Sequence, residues 1–150
     1  MSTDRIEKSI VLNVARSRVW RAISTPSEFG AWFGAKLEGE FVPGAAITGH
    51  IVEPAGYEDH PWNMTIEEVA PESLLSFRWH PYAMDRNVDY SDEPTTLIEF
   101  RLEDVSGGTR LTVVESGFDR LPPARRDEAW RMNDHGWGVQ VERIAGYVAR

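Results

Sequence analysis

The chain has 150 residues, no cysteine, and 24 acidic against 16 basic side chains, giving a formal net charge of −8. That excludes disulfides, thiolate metal sites and a cysteine nucleophile, and it argues against nucleic acid as a partner, because phosphate binding needs a basic surface. No stretch approaches the ~18 consecutive apolar residues of a membrane span, and the opening MSTDRIEKSIVLN lacks the apolar run of a signal peptide, so a cytoplasmic single domain over residues 1–150 without membrane insertion is expected.

Ile6 to Val14 alternates apolar with polar residues and predicts a strand. Ser17 is placed to cap a short helix whose inner face carries Val19, Trp20 and Ile23. Thr25-Pro26 stops that helix, since the residue before proline avoids the α region. A second short helix starts at Ser27, carries Phe29, Trp32 and Phe33, and ends at Gly34. Strand signals follow. They are Leu37 to Val42, the Pro43-Gly44 turn, Ala46 to Glu53, the breaker-rich loop Pro54 to Pro61, Trp62 to Val69 and Leu74 to His80. Pro81 to Pro94 is a polar, acidic loop, a candidate mobile lid. Thr95 to Glu103, a Gly107-Gly108 turn and Arg110 to Ser116 read as a hairpin.

The last thirty residues, Leu121 to Arg150, organise the rest. Trp130, Trp137, Val141, Ile144 and Val148 fall on one helical stripe, behind the helix-starting pair Pro122-Pro123. Gly136 and Gly138 flank Trp137, and each costs about 1 kcal/mol in a helix interior. Their presence predicts that a strand, helix or ligand approaches the backbone there, and that this turn, with Met132, Asn133 and His135, lines a cavity. The pattern gives an α+β domain: an antiparallel sheet with one apolar face, covered by the long helix and closed at one end by the two short helices.

Strand parity sets Glu115 beside Leu111 and Val113 on the concave face. A carboxylate buried there is paired or has its pKa raised, and is equipped to bind a ligand or act as a general base. Six tryptophans, six phenylalanines and four tyrosines exceed what closing a core of this size needs. Trp32, Phe33, Trp62, Phe77, Trp79, Phe100 and Trp137 are the pocket candidates, with Met132 on the helix and Glu115 as the main polar group. His50, His60, His80 and His135 lack metal-ligand spacing, and there is neither a phosphate loop nor GxSxG, so neither metal nor cofactor is expected.

Several segments also carry a resemblance: Ala15 to Trp20 followed by Trp32-Phe33, Pro43-Gly44, Glu68 to Trp79, Gly108 to Val113, and His135-Gly136-Trp137. In this order and spacing the chain resembles the START-like superfamily (SRPBCC, birch-pollen-allergen-like), and within it the branch named for the activator of heat-shock protein ATPase (AHSA-type). The resemblance implies a helix-grip fold, a curved antiparallel sheet wrapped around a long C-terminal helix. The chain departs from common forms of the branch at Pro43-Gly44-Ala45, where a double glycine is frequent. It departs again at Glu115-Ser116-Gly117, where a histidine often precedes the serine–glycine pair. Three functions follow: binding of a small hydrophobic or aromatic molecule such as a lipid or metabolite, cyclase- or hydrolase-type catalysis through Glu115, or a chaperone-interacting role in stress response. The corresponding partners are a small hydrophobic molecule, a chaperone and a second copy of this chain.

Overall fold

The computed structural model describes residues 4–52, 60–85 and 87–149; Glu53, most of the expected loop from Pro54 to Pro61, Arg86 and Arg150 lie outside the described residues. The elements run β1 (Arg5–Leu12), α1 (Arg16–Ser24), α2 (Pro26–Phe33), β2 (Ala35–Glu38), β3 (Ala46–Ile51), β4 (Met64–Ala70), β5 (Leu74–Trp79), β6 (Thr96–Val105), β7 (Gly108–Ser116) and α3 (Pro123–Val148). The seven strands form one curved antiparallel sheet in the order β1-β7-β6-β5-β4-β3-β2. With α3 laid across it, this is the helix-grip α+β architecture. No helix among the described residues is long and apolar enough to cross a membrane.

Period-two alternation fixes which face is inward. Leu75 and Phe77 on β5, Ile98 and Phe100 on β6, and Leu111 and Val113 on β7 are all at most 1% exposed. Their neighbours Arg78 and Arg101 turn outward and pair with Glu67 and Glu99. On α3 the buried stripe is Ala129, Trp137, Val141, Ile144 and Val148. The helix packs against β1 and α2. Trp130 leaves the stripe half-buried, because its indole N–H donates to the Arg5 carbonyl at the start of β1, 3.1 Å away.

Four expectations are corrected. Ser17 does not cap α1; Ala15 is the cap residue and its carbonyl accepts the Arg18 and Val19 amides, with no side-chain cap. The second helix begins at Pro26, where proline suits the first helical position. The strand expected over Leu37 to Val42 is Ala35–Glu38 instead, because pairing runs from Ala35↔Ile51 to Glu38↔Thr48 and Gly39, at φ 118°, ends it. Finally, nothing approaches α3 at Gly136 or Gly138: a Cβ at either would meet no atom within 4 Å. The tight approach is at Gly30 on α2, where a Cβ would stand 2.3 Å from the Ala35 carbonyl oxygen as the chain doubles back through Gly34.

The sheet is uneven along its order. β6 and β7 pair without a break from Leu97↔Ser116 to Val105↔Gly108. β3 and β4 pair at Ala46↔Thr65 and Ile47↔Met64, and the ladder continues irregularly into the chain before β4, through the Trp62 amide to the Gly49 carbonyl, the His50↔Pro61 bridge and the Ile51 amide to the His60 carbonyl.

Candidate functional site

Parity carries Glu115 of β7 into the interior, where it is 0% exposed. A carboxylate so placed needs donors on both oxygens, and three elements supply them. From β5, Trp79 Nε1 donates to Oε2 at 2.8 Å. From the first residue of β6, Thr96 Oγ1 donates to Oε2 at 2.5 Å. From α3, Trp137 Nε1 donates to Oε1 at 2.8 Å, and Asn133 Nδ2 bridges Oε1 and Oε2 at 3.0 and 3.2 Å. Burial pushes the Glu115 pKa up from the ordinary carboxylate value, against the opposing pull of these bonds from Thr96, Trp79, Trp137 and Asn133. The carboxylate therefore ties α3 to β5 and β6 and fixes two indoles and an amide. Trp79 and Trp137 lie stacked, with centroids 5.7 Å apart and planes at 24°.

Aromatic rings fill the interior where α2 packs on the sheet. Phe29 contacts Trp32 at 4.7 Å, Phe100 at 5.9 Å and Phe77 at 6.2 Å. Trp32 Nε1 donates to the Ala22 carbonyl at 2.9 Å, which joins α2 to α1. Beside these rings lies a cleft of about 820 Å³, lined by β3, β4 and β5 on one side and by α3 on the other. The end of α2, the chain from His80 to Thr95, and Asn133 and Gln140 of α3 enclose it. Phe33, Trp62 and Trp79 form an aromatic wall, with Phe33–Trp62 centroids 4.9 Å apart, Trp62–Trp79 5.5 Å and Phe33–Trp79 6.2 Å.

The acidic loop beside this cleft is anchored to the start of α3. Arg125 pairs with Glu93, donates to the Pro81 and Tyr82 carbonyls at 2.9 and 3.0 Å, and lies 4.6 Å over the Tyr90 ring. Two histidines hold the loop from the other side: His60 Nε2 meets the Ala83 carbonyl at 3.1 Å and His80 Nε2 the Glu93 carbonyl at 3.0 Å. Tyr82 takes the left-handed φ of 48°, an uncommon conformation for a non-glycine residue, on the cleft lining.

Of the nine candidate ligand residues, Phe33, Trp62 and Trp79 meet on the cleft wall. Trp32, Phe77, Phe100 and Trp137 stand behind it in the core, and Glu115 lies beneath Trp79, sealed by its donors. Met132 is 40% exposed and does not line the cleft: one residue before Asn133, it is turned about 100° around the helix. His135 is likewise exposed. Gln140 and Arg125 were not singled out from the sequence. Gln140 was findable, since Asn133, Trp137 and Gln140 fall at steps of four and three on the apolar stripe. Arg125 carried no such signal, because its partners lie more than thirty residues away in the loop.

A family model described as Activator of Hsp90 ATPase homolog 1-like protein matches residues 13–149. A comparison with curated proteins gives no match. Among solved structures, protein NE0264 of Nitrosomonas europaea aligns with a TM-score of 0.77 at 19% identity, covering 99% of this chain and 96% of its own. Protein MLL2253 of Mesorhizobium loti aligns at 0.76 with 20% identity, covering 97% of each chain. The Aha1 dimer of Colwellia psychrerythraea aligns at 0.70 with 16% identity, covering 96% of this chain and 95% of that one. These structural similarities establish the fold, and the family match over residues 13–149 shows that the chain belongs to the Activator of Hsp90 ATPase homolog 1-like family.

Proposed function

We propose that the chain binds a small molecule with a flat, apolar body in the lateral cleft, against Phe33, Trp62 and Trp79. The observation that carries this reading is the meeting of three rings, 4.9 to 6.2 Å apart, on the wall of a cleft of about 820 Å³. That volume falls within the ~300–1,000 Å³ usual for ligand sites, and rigid aromatic faces suit a flat partner. In this reading Glu115 acts through others: it holds the Trp79 indole and the Asn133 amide in place and does not touch the ligand.

The binding reading is favoured over catalysis by what surrounds Glu115. Its partners are two indoles, a hydroxyl and an amide. None of these exchanges a proton near neutral pH, so the carboxylate has no second acid or base beside it. The chaperone role that the family description concerns would instead depend on surface residues. For assembly we infer a homodimer, on the strength of the dimeric Colwellia relative; sedimentation at the mass of one chain contradicts it.

The test is a thermal-shift screen against a metabolite and lipid library, followed by calorimetry of the hits. A ligand at 100 times its Kd adds about 2.7 kcal/mol of stability. Trp62→Ala should weaken a true hit by about tenfold or more through lost buried area. Hits that Trp62→Ala and Trp79→Phe bind as tightly as the parent does would sink the site.

A further inference from the structure

We infer that the cleft selects ligands that present a hydrogen-bond donor, an O–H or N–H, to α3; this rests on the binding reading above. The protein already uses one end of each polar side chain at the cleft, and what is left over faces the ligand. Asn133 and Gln140 lie two turns apart on the same helical face and both line the cleft. Asn133 gives its Nδ2 to both oxygens of Glu115. Gln140 gives its Nε2 to the Phe33 carbonyl at 3.1 Å. Carboxylate and carbonyl oxygens only accept, so each amide must face its partner through NH2 and neither can turn round. What remains on each is a carbonyl oxygen. Gln140 Oε1 is buried with no hydrogen-bond partner among the described residues. A buried acceptor left unmatched costs free energy, and a ligand donor that reaches it recovers that cost.

The other donors at the cleft are spent on the protein itself. His60 and His80 each direct Nε2 at a backbone carbonyl, so the Nε2 proton of each is already used. The Trp79 N–H is engaged by Glu115, and Arg78 is paired with Glu67. At α3 the carbonyl oxygens of Asn133 and Gln140 call for a donor. The ligand class is therefore a flat apolar molecule with a hydroxyl or N–H donor, such as a phenol or an indole, and not a carboxylate or an ether. Two acceptors roughly 10 Å apart along the helix would suit a fused-ring molecule with a donor toward each.

Calorimetry at pH 7 with 2-naphthol, 2-methoxynaphthalene and 2-naphthoate tests this. The ether is the more apolar of the first two, so buried area alone favours it, and a preference for the phenol reports the donor. The parent protein should bind 2-naphthol at least about tenfold more tightly than either of the others. Gln140→Met, checked for folding by circular dichroism, should shrink the phenol-to-ether ratio to below about threefold. Equal or tighter binding of the ether or the carboxylate by the parent overturns the donor rule while leaving the cleft as a binding site. An unchanged ratio in folded Gln140→Met also overturns it. Binding of none of the three probes removes the cleft reading and this inference with it.

Discussion

The two halves of the sheet treat similar residues in opposite ways. In the half from β1 through β7 and β6 to β5, pairing is continuous and the inward face is closed, so even a carboxylate, Glu115, has every approach filled by donors. In the half from β4 through β3 to β2, β3 pairs with β4 at two positions and then with the irregular chain at residues 60–62, and aromatic side chains there face open space. Phe77 and Trp79 share β5 and a face, yet Phe77 is fully buried and Trp79 reaches the cleft. The lesson is that the ladder, and not the residue type, decides which aromatic is core and which is available. Where the ladder becomes irregular, at the His50↔Pro61 bridge, a cleft lies beside it.

The largest blow to the closed half should be Trp137→Ala. It removes a ring that is 3% exposed, stacks on Trp79 and donates to Glu115, and should cost about 3–5 kcal/mol by chemical denaturation. A loss below about 1 kcal/mol would show that α3 is not held there. Glu115→Gln should come next, at about 2–3 kcal/mol, because its NH2 must face at least one donor N–H. The effect should depend on pH. The folded-state pKa of Glu115 is raised, so the folded protein holds this proton more tightly than the unfolded chain. The stability from this group is therefore full below the ordinary carboxylate value and falls as pH rises through the raised one. The parent's advantage over Glu115→Gln should shrink across that window, and an advantage that grows with pH contradicts the assignment.

Smaller effects should separate the halves further. Arg125→Met should cost about 1–2 kcal/mol, since it leaves Glu93 and two carbonyls without their partner. Hydrogen exchange should speed up in residues 81–93 while β6 and β7 stay protected. Uniform exchange across all of these would show that the loop is not a separate unit. Gly138→Ala should stabilise the chain by about 0.5–1 kcal/mol, because a Cβ there meets nothing within 4 Å and the helix gains propensity. Destabilisation would restore the close approach expected from the sequence.

Much of the fold was legible because its signals are local. Alternation in residues 96–103 and 110–116 fixed the inward face, and the steps from Trp137 to Val148 fixed the buried side of α3. The inward position of Glu115 followed from parity alone. Its role did not, since its four donors come from positions 79, 96, 133 and 137, and only the folded chain brings them together. The glycines beside Trp137 misled for a related reason: a missing side chain reads the same whether the space beside it is tightly occupied or empty. Met132 and Asn133 are adjacent in sequence, and one step around the helix separates the exposed residue from the one on the cleft. The cleft itself is enclosed by β3 to β5, the chain from His80 to Thr95 and α3, and no local pattern encodes how these come together.

The most direct test is the set of six tryptophan indole N–H signals during a titration with 2-naphthol, followed by nitrogen–proton NMR. Trp62 and Trp79 line the cleft, whereas Trp20 and Trp130 do not. The account predicts that the Trp62 and Trp79 signals shift together and saturably while those of Trp20 and Trp130 hold still. Movement of Trp20 or Trp130 with Trp62 and Trp79 unchanged would place the ligand elsewhere and contradict it.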